Sequence, residues 1–306
     1  MKITTTILAL AILFASCNQY EKTKSGLMYK ITKGSGKQKL KNGDLIKFNV
    51  EYKIREKDTV LFTTYGHIPS FYKIDSSQLR KFDFSELFPI CSVGDKLEFV
   101  MNIDTLKKLG MIPEYNAVFK RGGVINGKAE ILKVYANEDE LKADIDKEVA
   151  AEKDREIKAV DDYTKKKGVK TEKTAGGVFV EINQQGTGEK VDSGKLVSIL
   201  YTGILMSNGK EFESNMKGTN AGKTLDVVIG THQVIPGWEE GLKLFAAGGK
   251  GKLYIPAMLA YGAQGNPPVI PSYANLIFEV EVKDVKTPPP PAPAPKPATP
   301  PPTIKK

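Results

Sequence analysis

Apolar and polar residues alternate in two stretches of this chain, and the alternation predicts β-strands that each bury one face. In the first stretch, about residues 26–136, the segments 44–52, 96–101 and 127–134 alternate in this way. The second stretch, about residues 174–286, has the same character and ends in an alternating segment. Short strands with turn residues between them predict antiparallel sheets in both stretches.

A charged segment lies between the two stretches. Apart from the terminal Gly168, residues 138–168 contain neither glycine nor proline. Leu141, Ile145 and Val149 recur every fourth residue, which predicts a helix of about 45 Å that Gly168 would cap. The apolar stripe is interrupted near its middle, which favours a solvated connector over the alternative, a dimerising coiled coil.

The two stretches begin with the same signals in the same order: a short strand, a Gly-x-Gly turn, then a glycine before a longer strand. The matching segments are 26–31, 34–36 and 43–45 in the first stretch and 177–182, 186–188 and 194–196 in the second. This order at nearly constant spacing predicts a duplicated domain. The match weakens after about the first forty residues of each copy.

The start of the chain has the features of an export signal. Lys2 is followed by an apolar segment, residues 7–15, that is too short to span a bilayer. The small residues after it precede Cys17, which resembles a bacterial lipoprotein signal. We expect removal of residues 1–16, a lipid on Cys17, a tether at residues 17–25, and anchoring to a bacterial membrane on the periplasmic side or the cell surface. The alternative is an ordinary secretory signal in which Cys17 is incidental.

Composition narrows the possible partners. The net charge is +9, but lysines and arginines are spread along the chain without a dense cluster interleaved with aromatics, so nucleic acid is not an expected partner. Two cysteines and two histidines show no zinc-site spacing, and we expect neither a metal nor a cofactor. Cys91 is expected to be a buried apolar side chain. The tail, residues 287–306, is rich in proline and is expected to be an extended spacer.

Five motifs in the second stretch resemble, in order and content, the FK506-binding-protein (FKBP) family of peptidyl-prolyl cis-trans isomerases. They lie at residues 200–203, 208–214, 234–242, 255–262 and 267–282. The resemblance implies an α+β fold class with two FKBP-like domains, at residues 26–136 and 174–286, each an antiparallel twisted sheet wrapped on one short helix. The residue pattern agrees, since Asn208-Gly209 is a hairpin signal and Pro236 suits the first turn of a helix.

The resemblance also implies a site for proline-containing polypeptides and for FK506-like macrolides. Trp238 would form the floor beneath the proline ring, and the backbone N–H of Ile235 and the hydroxyl of Tyr261 would donate hydrogen bonds to substrate carbonyls. The other residues of the site would be Tyr201, Phe212, Glu213, Val234, Ile270 and Phe278. Glu213 stands where the family usually has Asp, and Leu225 where an aromatic often lines the rim. The alternative is that these aromatics, above all Tyr201 and Phe278, are only core residues.

Prolyl isomerisation suits a site without nucleophile, metal or base. The barrier of about 18–20 kcal/mol comes from amide resonance, and an apolar pocket favours the twisted amide over the planar, better-solvated one. We therefore expect a peptidyl-prolyl cis-trans isomerase that assists the folding of exported proteins. The alternative is a non-catalytic proline-binding module or holdase chaperone.

The first copy lacks the residues of this site. Val50 stands at the place of Tyr201, no tryptophan occurs in this half of the chain, and residues 84–89 take the place of the Trp238 helix. We expect Phe62 to correspond to Phe212. The first copy is therefore expected to be a degenerate domain that keeps the fold.

Overall fold

The structure is a computed structural model that describes residues 20–288. The signal segment, Cys17 and almost all of the proline-rich tail lie outside the described residues. The chain divides into two compact units at the Glu152–Lys153 bond, called here the N-terminal unit and the C-terminal unit. Within residues 20–288, no helix combines the length and the apolar character needed to cross a bilayer.

The N-terminal unit is built on one seven-stranded antiparallel sheet. Its strands are β1 (Glu21–Lys22), β2 (Met28–Thr32), β3 (Leu45–Ile54), β4 (Thr59–Thr63), β5 (Ser70–Lys73), β6 (Lys96–Asn102) and β7 (Val124–Tyr135). A 3₁₀ helix at Phe84–Ile90 buries three side chains against this sheet, and a short helix, α1 (Ile103–Lys108), follows β6. A further 3₁₀ turn lies at Arg55–Lys57.

The C-terminal unit contains a second antiparallel sheet of seven strands. They are β8 (Glu172–Lys173), β9 (Phe179–Gln184), β10 (Leu196–Leu205), β11 (Glu211–Ser214), β12 (Leu225–Val228), β13 (Lys250–Ile255) and β14 (Leu276–Lys286). The helix α3 (Pro236–Gly241) lies on one face, continued by a 3₁₀ turn at Leu242–Leu244. Further 3₁₀ turns lie at Gly218–Asn220 and Ala257–Leu259. The expected α+β class is confirmed.

The two sheets have the same strand order. The first runs β1-β2-β6-β7-β3-β4 with β5 on β3, and the second runs β8-β9-β13-β14-β10-β11 with β12 on β10. Gly26 corresponds to Gly177 and Leu45 to Leu196, and the offset stays constant through residue 54. Even the register shift after Lys47 recurs at the corresponding place in β10. Such agreement in both order and irregularity supports the predicted duplication.

A long helix, α2 (Glu138–Lys166), runs through the boundary between the units. Its 29 residues span about 43 Å at 1.5 Å per residue. In its first half, Asp144 and Glu148 form ion pairs with Lys47 at 3.1 and 2.7 Å, within the N-terminal unit. These contacts fix the helix to the outer face of β3.

The second half of α2 packs on the C-terminal sheet, on the face opposite to α3. Val160 is fully buried and forms a cluster with Phe179, Tyr254 and Ile277, and Ile157 packs against the same cluster. The expectation of a merely solvated connector is therefore wrong for this half. A short apolar stripe suffices here because the sheet supplies large side chains on its outer face.

Cys91 is fully buried in the N-terminal unit. Burial raises the pKa of its thiol to about 12, which keeps the thiol protonated at ordinary pH. The expected role as a small apolar core side chain is confirmed. Among residues 20–288, no three metal-ligating side chains come together as a possible ion site.

Candidate functional site

Three aromatic rings from three different elements meet on the inner face of the C-terminal sheet. The centroid of the Trp238 ring, on α3, lies 5.0 Å from that of Tyr201 on β10 and 5.2 Å from that of Phe278 on β14. Both contacts are edge-on, at interplanar angles of 84° and 89°, which is the arrangement that ring quadrupoles favour. The cluster holds the indole of the only tryptophan in the chain in a fixed orientation.

Two glycines allow α3 to approach the sheet closely enough for this contact. A Cβ on Gly237 would lie 2.4 Å from the Ile255 side chain, and a Cβ on Gly241 would lie 2.8 Å from that of Leu253. Both distances are below van der Waals contact, so only glycine fits without displacing β13. Pro236 at the first helical position starts the helix just before Trp238, which then points between the strands.

A cavity of about 370 Å³ opens in front of the aromatic cluster. Its lining residues are Tyr201, Glu213, Leu225, Gln233, Val234, Ile235, Trp238, Tyr261 and Phe278. Seven of the nine site residues expected from the sequence are therefore brought together. Such a concave, largely aromatic surface with a few polar groups is the usual form of a small-ligand or peptide site.

Two of the expected site residues do not line the cavity. Phe212 lies behind Phe278, with ring centroids 5.8 Å apart, and fills the space left by the missing side chain of Gly203. Ile270 is 2% exposed and belongs to the core of the unit. Phe212 therefore supports the wall from behind, and Ile270 is a core residue that does not form the cavity surface.

The lining also contains residues that the sequence did not mark as site residues. Leu225 was noted only as a departure from the family at the rim, and it does lie there, about one third exposed. Gln233 was not predicted at all, although its position two residues before Ile235 places it in the same segment. Its Oε1 accepts a hydrogen bond of 3.2 Å from the Val228 amide, which ties that segment to β12.

Four hydrogen-bond donors and one carboxylate belong to residues that line the cavity. Burial raises the pKa of Tyr201, and the Glu213 carboxylate raises it further. Burial also raises the pKa of Tyr261, with a smaller contribution from Glu213. Both hydroxyls thus remain protonated donors. The Ile235 N–H makes no hydrogen bond within the described residues, and the buried Trp238 Nε1–H has no protein acceptor. The site therefore offers donors and a carboxylate beside an aromatic floor.

The corresponding space of the N-terminal unit is filled by its own side chains. Gly127 stands at the place of Phe278, and the ring of Phe99 lies directly on it. Phe84 stacks on Phe99 at 5.3 Å between centroids and contacts Phe88 edge-on at 5.4 Å. Three packed rings thus lie at the place that corresponds to Phe278.

One sequence correspondence in this unit is wrong. Phe62 pairs with Tyr52, which takes the place of Gly203, so Phe62 corresponds to Glu213. Leu61 takes the place of Phe212, because the register shifts after Tyr52 as it does after Gly203. Because both copies have the bulge at the same position, the constant offset between them continues and places Leu61, not Phe62, at Phe212.

Comparisons with known proteins agree on the C-terminal unit. The profile of the family described as FKBP-type peptidyl-prolyl cis-trans isomerase matches residues 187–283. The FK506-binding protein of Neisseria meningitidis serogroup B is 43% identical over 110 residues, 36% of this chain and 97% of that protein. The 46 kDa FK506-binding nuclear protein of Spodoptera frugiperda is 41% identical over 112 residues, which are 37% of this chain and only 26% of that protein.

The crystal structure of FkpA from Escherichia coli is also similar, with 37% sequence identity. The match covers 48% of this chain and 64% of that one, at a TM-score of 0.37.

We expect the activity of the site to be independent of tyrosine ionisation. Because the pKa values of Tyr201 and Tyr261 are both raised above 10.0, both hydroxyls stay protonated as the pH rises from neutrality toward 10. The value of kcat/KM for a proline-containing peptide should therefore stay constant over this range. A decline with a midpoint below pH 10 that the Tyr261→Phe variant abolishes would contradict the assignment, provided that circular dichroism shows both proteins folded.

Proposed function

Because this chain belongs to the family of FKBP-type peptidyl-prolyl cis-trans isomerases, and is an enzyme of that class, we propose that its C-terminal unit isomerises prolyl bonds in the cavity above Trp238. The observation that supports this most strongly is the edge-on cluster of Trp238, Tyr201 and Phe278 beneath an open cavity. A flat proline ring fits an indole floor of this kind.

Catalysis in this cavity needs no covalent step. The planar prolyl amide is stabilised by resonance, and its polar carbonyl is well solvated in water, whereas the twisted transition state loses the resonance and part of this polarity. Aromatic surroundings that exclude water favour the twisted form of the prolyl amide. The reaction moves no proton, so no side chain has to act as acid or base.

The polar groups orient the substrate. The Tyr261 hydroxyl and the Ile235 N–H would each donate to a carbonyl on either side of the proline, which fixes the chain while the bond between them rotates. The Glu213 carboxylate faces the Tyr201 hydroxyl and would hold it in place at the wall. Leu225 at the rim adds apolar surface for the neighbouring residues of the substrate.

Trp238→Ala should lower kcat/KM on the order of a hundredfold. Removing the side chain that forms the floor beneath the proline ring should cost about 3 kcal/mol of transition-state binding. Protease-coupled or NMR exchange assays on a proline-containing peptide measure this. Tyr261→Phe keeps the ring and should lower kcat/KM by about threefold to tenfold through the loss of one hydrogen bond.

Phe88→Leu, a buried aromatic change in the N-terminal unit, is the matched control and should leave kcat/KM unchanged. Wild-type turnover by a folded Trp238→Ala protein would exclude the proposed floor. Peptide binding without turnover in the unchanged protein would favour the alternative, a proline-binding holdase.

We further propose that the protein acts on exported proteins while it is held at a membrane by a lipid on Cys17. The support is the sequence of the first 17 residues, in which a short apolar segment ends in Ala15-Ser16-Cys17. A lipid-anchored isomerase would meet client polypeptides as they leave the membrane.

Cys17→Ser should abolish this anchoring. Two acyl chains hold a protein stably, whereas the tether alone has no affinity for a bilayer. Membrane fractionation and mass spectrometry of the mature N-terminus test this. An unmodified Cys17, or wild-type protein that stays soluble after cleavage elsewhere, would contradict the proposal and would leave the isomerase assignment intact.

A further inference from the structure

The segment that carries Tyr261 starts with a 3₁₀ turn, and the residue before this turn offers no side-chain acceptor for its first N–H groups. The 3₁₀ turn Ala257–Leu259 follows Pro256, whose side chain accepts no hydrogen bond, so the first N–H groups of the turn need acceptors from elsewhere. Asn275 Oδ1 accepts from the Ala257 N–H at 2.9 Å. Glu156 Oε2 accepts from the Met258 N–H at 2.7 Å.

Glu156 comes from α2, far outside the family domain in sequence. The residue is 5% exposed, and a carboxylate is buried at large cost unless it is hydrogen-bonded. Hydrogen bonds from backbone N–H groups to an ionised carboxylate are among the stronger ones in proteins. Ile157 and Val160 dock the same half of α2 on the sheet, so the carboxylate is held in a fixed place.

The Ala257–Leu259 turn fixes the position of Tyr261. The carbonyl of Ala257 accepts from the N–H groups of Ala260 at 2.9 Å and Gly262 at 2.8 Å, one on each side of Tyr261. The Tyr261 backbone is thus tied on both sides to the first residue of the capped turn. A displacement of the turn would displace the hydroxyl that lines the cavity.

We propose that Glu156 is a positioning residue for Tyr261, so that the isomerase site is completed by the connecting helix. This rests on the proposed function of the cavity. It also means that the functional unit extends beyond residues 187–283, the part that the family profile matches.

A double-mutant cycle in the full chain tests this. Glu156→Ala should lower kcat/KM by about threefold to tenfold, similar to Tyr261→Phe, because it displaces the hydroxyl that Tyr261→Phe removes. Glu156→Ala in the Tyr261→Phe background should have almost no further effect. An equal effect in both backgrounds, or no effect in either, would overturn the proposal.

Two controls separate positioning from general damage. Asp154→Asn and Asp162→Asn each change an exposed carboxylate of the same helix and leave Glu156 and its docking intact; neither should couple to Tyr261. Hydrogen exchange of the Met258 amide gives a readout independent of activity, and should accelerate in Glu156→Ala alone. If the Met258 amide exchanges at the same rate in Glu156→Ala as in the wild type, the positioning proposal is overturned even if the cavity is catalytic. If exchange is faster but the wild-type protein has no isomerase activity, it is the proposed function that has failed.

A second, independent observation concerns the charge of the N-terminal unit. Residues 20–43 contain seven lysines and one acidic residue, whereas the corresponding residues 171–194 contain two lysines and four acidic residues. The two segments align at a constant offset and have the same strands, so the fold does not require this difference in charge.

Five of these lysines are exposed and form no ion pair within the described residues. They lie on β1, in the turn after it, and in the loop between β2 and β3, and are called here the basic edge: Lys22, Lys24, Lys37, Lys39 and Lys41. Five unpaired cations within twenty residues of the chain make this segment attractive to anions.

We infer that the basic edge contacts the anionic headgroups of a phospholipid bilayer. The edge begins close to Cys17, and the three intervening residues up to Tyr20 can extend over only about 10 Å. This is about one Debye length at moderate ionic strength, so the lysines nearest the tether would experience the potential of an anionic surface. The inference rests on the anchoring proposed above.

The test uses chain without residues 1–16 and with Cys17→Ser, so that no lipid contributes. Its partition to vesicles of phosphatidylglycerol and phosphatidylcholine should fall at least about tenfold when the five lysines of the basic edge become glutamine. A matched variant changes five exposed lysines of the C-terminal unit to glutamine and should partition as the parent does: Lys170, Lys190, Lys210, Lys223 and Lys243.

An equal loss in both variants would show a net-charge effect and overturn the inference. So would equal binding to pure phosphatidylcholine, or stronger binding to polyglutamate than to the anionic vesicles, which would indicate an acidic protein partner. Because the tested chain carries no lipid, these outcomes are independent of whether Cys17 is modified.

Discussion

The close approach of helix α3 to strand β13 is the constraint on which the site depends. It requires Gly237 and Gly241, because a methyl group at either would collide with Ile255 or Leu253. With the helix at this distance, Trp238 reaches Tyr201 and Phe278 and packs edge-on against both. At the start of this helix, Ile235 lines the cavity and its N–H makes no hydrogen bond within the described residues. The floor, the walls and one donor thus follow from a single backbone contact.

The N-terminal unit shows what the same sheet becomes without that contact. Its 3₁₀ helix contains Pro89 and presents Phe84 and Phe88 to the sheet in place of glycines and one indole. The N-terminal unit has Gly127 at the place of Phe278. The ring that covers this position comes from Phe99 on the neighbouring strand β6. The strand order and the bulges are kept, but side chains occupy the volume that the cavity has in the other unit. Fold and site are therefore separable in this chain.

Much of this arrangement could be predicted from the sequence, because alternation fixes which side chains share a face. The repeated order of strand, Gly-x-Gly turn and strand indicated the duplication, and the family resemblance supplied Tyr201, Phe278, Trp238 and Tyr261 as site residues. Phe62 resembles Phe212 in residue type, but the constant offset between the copies places Phe62 at Glu213 and Leu61 at Phe212, so the assignment by type was wrong. The buried role of Glu156 was hidden, because an acidic residue in a charged helix is usually solvated.

The central claim is that the chain has one prolyl site and that Trp238 is its floor. The most direct measurement is an NMR titration of the full chain with a proline-containing peptide, which follows the single indole N–H resonance. The account predicts that this resonance shifts and saturates with the concentration dependence of the isomerase rate, while resonances of Phe84, Phe88 and Phe99 stay in place. A stationary indole resonance, or equal shifts in the N-terminal aromatic cluster, would contradict it.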